Sequence, residues 1–112
     1  MRNIELLYCH KGKDKRTLLE DCIAELNKKG GLKRPFPNED QPRIPLVVDV
    51  EEDGPGQRRV MVYAESLGRN DIDNRIEADY DRKTGKETVT MPYGWCGLHL
   101  YFERKGFSTE RQ

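Results

Sequence analysis

Two places in this chain bring together the side chains from which thiol or metal chemistry is built: Cys9 beside His10, and Cys96 three residues before His99. Zinc takes Cys and His ligands at close range. A Cys next to a His can also act as a nucleophile with its base. The spacing opposes both uses, because on extended strands residues one or three apart point to opposite faces and do not converge on one ion or one substrate. A reactive thiol further needs partial exposure in electropositive surroundings. Cys22 falls on the apolar stripe of an expected helix and Cys96 on the apolar face of an expected strand, which leaves Cys9, among basic residues, as the nearest fit. No catalytic residue, metal ligand or cofactor is assigned.

The carboxylates form two groups, Asp49, Glu51, Glu52 and Asp53 around one turn, and Asp71, Asp73, Glu77, Asp79 and Asp81 along one strand face. Alternate residues on a strand lie about 6.6 Å apart, so the second group makes a row rather than a pocket. Such a row is solvated, discourages edge-to-edge aggregation, or offers a basic partner an imitation of a phosphate backbone. The cations group likewise. Lys11, Lys13, Lys15 and Arg16 precede the helix, and Lys28, Lys29, Lys33 and Arg34 follow it, roughly 18 Å away at 1.5 Å per residue. That spacing could bridge a groove of nucleic acid, although Phe36 is the only aromatic interleaved with the cations.

Residues 91–107 stand apart from the rest, holding five of the nine aromatic residues and the only Trp. Read as a strand, the stretch puts Cys96, Leu98, Leu100 and Phe102 on a core face. Trp95, Gly97, His99 and Tyr101 share the other face, whose aromatic and partly polar composition suits a contact surface. Phe36, Tyr93, Trp95, His99 and Tyr101 are therefore the binding residues expected, since aromatic anchors dominate interface energy. If Trp95 and Tyr101 instead walled a concave pocket around His99, a small hydrolase or transferase would follow.

The elements that must position these groups are legible from periodicity. Residues 4–10 are apolar on both sides, as in a strand placed centrally in a sheet. Leu18, Leu19, Cys22, Ile23 and Leu26 recur at helical spacing. Thr17 and Glu20 complete a capping box at the start of that helix, and Gly30 and Gly31 stop it. Four prolines at 35, 37, 42 and 45 make 33–45 an extended surface loop around Phe36. Residues 46–50 and 60–64 read as a hairpin across a Gly- and Pro-rich turn. Residues 71–81 alternate, with Ile72, Ile76, Ala78 and Tyr80 against the acidic row, and Gly85 turns the chain into a strand over 87–91. Residues 104–112 read as a frayed tail.

At 112 residues the chain fits one domain, 1–112, with one modest core. It predicts an α+β fold, a mainly antiparallel sheet of about six strands with one amphipathic helix packed across it. Twenty basic residues balance twenty acidic ones. The charge is polarised, however, with eight Lys or Arg against four acids in 10–34 and six acids against two Arg in 65–81. Three Cys without framework spacing point to reduced thiols in a cytoplasm. No signal peptide or membrane span is expected. There is no Gly-rich phosphate loop or nucleophile elbow. The expected function is that of a small non-enzymatic binding or accessory protein. Its partner would be another protein, basic in character, or a second copy in a homodimer, with nucleic-acid binding as the alternative and no membrane partner.

Overall fold

Alternating and helical apolar patterns resolve into eight elements in the computed structural model, which describes residues 3–11, 16–31, 43–66, 68, 70, 74–92 and 98–110. They are β1 (Asn3–Cys9), α1 (Leu18–Lys28), β2 (Leu46–Asp53), β3 (Gln57–Ala64), β4 (Ile76–Asp81), β5 (Lys86–Pro92), α2 (Leu98–Arg104) and β6 (Ser108–Glu110). The six strands form one sheet in the order β2-β3-β4-β5-β1-β6, and every neighbouring pair is antiparallel. Among the described residues the chain is thus an α+β protein with a six-stranded antiparallel sheet and two helices. Among the described residues, no helix is long and apolar enough to cross a membrane.

Both helices supply the same core. Leu19, Cys22, Ile23 and Leu26 of α1 and Leu98 and Phe102 of α2 pack with Leu6, Val60, Val62, Ala64, Ile76, Ala78, Val89 and Met91 from the sheet. Each large apolar side chain so buried contributes roughly 1.5–3 kcal/mol. The start of α1 is the capping box expected, with Glu20 N–H donating to the Thr17 hydroxyl and the Thr17 N–H donating to the Glu20 carboxylate. Its end is closed by bonds from Gly30 N to Asn27 O and from Gly31 N to Leu26 O. Both glycines lie at positive φ, where side-chain-bearing residues are strained. Gly31 is also irreplaceable for space, since a Cβ there would lie 2.1 Å from the Ile44 carbonyl oxygen.

The aromatic stretch folds differently from the strand expected of it. Residues 98–104 are helical, so Leu98, Tyr101 and Phe102 turn to the core side while Leu100 is 50% exposed. An apolar run at 98, 100 and 102 satisfies a period of two, but the pair Leu98 and Phe102 also satisfies i, i+4, and the helical solution won. What decides it lies just downstream. Gly106, at φ 111, and Phe107 close α2 with bonds to Glu103 O and Phe102 O, the same motif that ends α1. The Phe107 ring then packs on Phe102, with centroids 5.7 Å apart. The tail is likewise corrected in part, because Ser108–Glu110 pairs with β1 as the sixth strand instead of fraying. The expected strand over 71–81 is found from Ile76 onward. Ile72, Asp71 and Asp73 lie outside the described residues.

Candidate functional site

The antiparallel register decides which side chains share the face of the sheet turned away from the helices. Three cross-strand rows cover it: Glu5, Thr90, Glu77, Met61 and Asp49; Leu7, Thr88, Asp79, Arg59 and Glu52; and Cys9, Lys86, Asp81 and Gln57. Among the described residues no helix lies on this face. It carries six carboxylates, Glu5, Asp49, Glu52, Glu77, Asp79 and Asp81, against the three cations Arg59, Arg75 and Lys86. The acidic row read along one strand is therefore part of a two-dimensional field spanning β1 to β2.

Short-range pairing shapes that field without cancelling it. Arg59 lies 3.6 Å from both Glu77 and Asp79, and Arg75 lies 3.1 Å from Glu77. Gln57 donates to Asp79 at 3.3 Å and Tyr63 donates to Asp49 at 2.9 Å. Asp81 accepts the Lys83 N–H at 2.9 Å and so holds the β4–β5 turn. Where the two hairpin ends rise beside each other, a shallow concavity of about 740 Å³ opens, lined by Glu52, Gln57, Asp79, Asp81, Lys83 and Lys86 among others. Partly exposed carboxylates arrayed on a sheet suit the guanidinium and ammonium groups of a partner.

A second polar cluster sits on the covered face and was missed by sequence reading. Glu87 is fully buried, and its carboxylate accepts the N–H groups of Leu18 at 2.7 Å and Leu19 at 3.0 Å, the first turn of α1. His10 Nε2 lies 2.7 Å from the same carboxylate. The His10 ring stacks on Tyr80 at 4.1 Å and meets Tyr8 edge-on at 4.7 Å. Burial pushes the Glu87 carboxyl above its ordinary range, against the opposing hydrogen bonds from His10 and the two amides. The two side chains are 2% and 0% exposed, so the pair works as a fastener between sheet and helix, not as an acid and base presented to substrate. The signal available in the sequence was parity, since Glu87 shares its strand face with Val89 and Met91.

The helix start is tied to the sheet a second time. Arg58, nearly buried, makes two bonds to Glu20, at 2.9 and 2.6 Å, and reaches Asp53 at 2.9 Å, while Arg82 also pairs with Asp53 at 2.8 Å. Burial raises the Glu20 carboxyl, but the bonds from Arg58 and Thr17 outweigh it and hold the group below its ordinary value.

Of the expected contact residues, Phe36, Tyr93 and Trp95 lie outside the described residues, as do Lys13, Lys15, Lys33 and Arg34 of the basic segments. His99 is half-buried on α2. Tyr101 is turned inward against α1, its hydroxyl 3.2 Å from Glu25 and 3.4 Å from the Cys22 carbonyl, with Lys105 closing the cluster onto Glu25 at 2.9 Å. Helical geometry thus converts Tyr101 from an outward anchor into a clasp between the helices. Burial pushes the neighbouring Cys22 thiol up to about 12, and Cys22 is inert in the fold. Lys11, Arg16, Lys28 and Lys29 are exposed near the two ends of α1. No group of three or more His, Cys, Asp or Glu among the described residues is placed to hold a metal ion.

These features define a class by architecture: an antiparallel sheet backed by two helices on one side, with an acid-rich face on the other. In comparisons with known proteins, no family, no curated protein and no solved structure matches the chain.

Proposed function

We propose that this protein is a non-enzymatic binding protein whose contact surface is the acid-rich open face of the sheet, and that its partner is a protein with a basic surface. The observation that carries the reading is the register, which gathers six carboxylates against three cations on one face that no described helix covers. Such a field raises the encounter rate with a basic partner and rejects acidic ones. The unpaired thiols Cys9 and Cys22 fit action in a reducing cytoplasm. Tyr101 is committed to α1 and lies outside the proposed surface.

The test is affinity capture from host lysate, with and without nuclease treatment, using three forms of the protein, each checked for an unchanged thermal melt. Wild type and the double reversal Lys28→Glu/Lys29→Glu should retain the same basic protein, in a manner weakened by salt. The reversal Glu77→Lys/Asp79→Lys should lose it by about tenfold or more, the factor that corresponds to about 1.4 kcal/mol. Retention unaffected by the open-face reversal refutes the proposal. Capture abolished by nuclease and by the Lys28/Lys29 reversal would transfer the function to nucleic acid.

A further inference from the structure

The outer edge of β2 is built to be continued. Among the described residues β2 ends the sheet, pairing on one side only, with β3. At its first residue the open side is already occupied, because the Asn27 side-chain amide donates to the Leu46 carbonyl at 2.8 Å and accepts the Leu46 N–H at 3.0 Å. A side-chain amide presenting one donor and one acceptor in this way reproduces the peptide unit of an adjacent strand. It also fixes the geometry: the main-chain groups of Leu46 point away from β3. Since alternate residues of a strand point their main-chain groups to the same side, those of Val48 and Val50 point outward too. Among the described residues no hydrogen bond reaches them. Val50 is 51% exposed beside them, whereas Val48 packs partly on the core.

We infer that this edge accepts an extended basic segment of the partner protein as an added antiparallel or parallel strand. The inference rests on the functional reading above and deepens it, because Asp49 and Glu52 of β2 belong to the acid-rich face. An added strand would place alternate side chains on the two sides of the sheet. Those on the helix side would cover Val50. Those on the open side would meet Asp49 and Glu52, so the segment that fits alternates apolar residues with Lys or Arg. A second copy of this chain fits poorly, since pairing β2 with itself would draw Asp49, Glu51, Glu52 and Asp53 of both copies into one seam. The charges that keep copies apart are the ones that select a basic strand.

The experiment is residue-resolved amide hydrogen exchange on the intact protein with an eight-residue probe peptide alternating valine and lysine. Its control is the same peptide N-methylated at every residue, which keeps the side-chain charge and blocks the close main-chain approach from either edge. With the unmodified peptide the Val48 and Val50 amides should exchange more slowly, by about tenfold, and with the N-methylated peptide they should not. Unchanged exchange at both amides, whether or not the peptide binds elsewhere, overturns the inference and leaves the open-face proposal standing. Protection that grows with protein concentration in the absence of peptide also overturns it, in favour of a second copy. Protection by the peptide combined with partner capture that ignores the Glu77/Asp79 reversal would retain the edge site and remove the open-face reading.

Discussion

Replacing Glu87 tests whether the buried polar cluster is what fastens α1 to the sheet. The carboxylate accepts two N–H groups, Leu18 at 2.7 Å and Leu19 at 3.0 Å, and lies 2.7 Å from a third polar group, His10 Nε2. Glu87→Ala leaves all three in a buried site. One unsatisfied buried donor costs roughly 1–3 kcal/mol, and water entering the vacated space recovers part of the sum, so the expected loss is about 3–5 kcal/mol. In a chain of this size that lowers the melting temperature by on the order of 15 °C. Glu87→Gln keeps one oxygen as acceptor but turns an amide N–H₂ toward a donor, so its cost should be roughly 1–3 kcal/mol. Urea titrations of the three proteins at pH 7, with equal slopes, give these differences directly. A loss under about 1 kcal/mol for Glu87→Ala would refute the assignment of the cluster as the fastener.

The pH dependence of the same pair supplies a sign. The native Glu87 carboxyl lies above its ordinary 4.5, so its contribution is fully present below that value and is lost as pH rises through the native one. Because Gln does not titrate, the stability difference between wild type and Glu87→Gln should shrink as pH rises from about 4.5 toward neutrality. A difference that widens instead would mean that His10 and the helix amides outweigh the cost of burial.

Two further substitutions probe the frame. Arg58→Met removes the bonds to Glu20 and Asp53 and should cost about 2–3 kcal/mol at neutral pH, read by thermal melts. Both carboxyls lie below their ordinary values, so their contribution is present above those values and lost as pH falls through the native ones. Wild type should accordingly lose its advantage over Arg58→Met in acid. Gly31→Ala should destabilise by at least ~3 kcal/mol, combining positive φ with the close approach to Ile44. Gly68→Ala, with positive φ but open space, should cost only ~1 kcal/mol in the same assay.

Much of the frame was present in local patterns. The capping box of Thr17 and Glu20, the Gly30–Gly31 stop, the stripe from Leu19 to Leu26 and the alternation of Ile76, Ala78 and Tyr80 each carry a short-range physical cause. They reappear in the fold at the same residues. The stretch around His99 failed because its apolar residues satisfy two periods at once, and the choice depended on the Gly106–Phe107 closure beyond it. Glu87 was legible only as a parity, because the groups that compensate its burial, His10 and the first turn of α1, are distant in sequence.

What the sequence determined by itself was the set of elements, since periodicity, capping and turn chemistry act over a few residues. Tertiary structure alone decided the candidate site. Strand order and register bring Glu5, Asp49 and Asp79 onto one face from three separate segments, and they leave β2 outermost with its main-chain groups turned outward. Those are properties of pairing between distant strands, which no local pattern encodes.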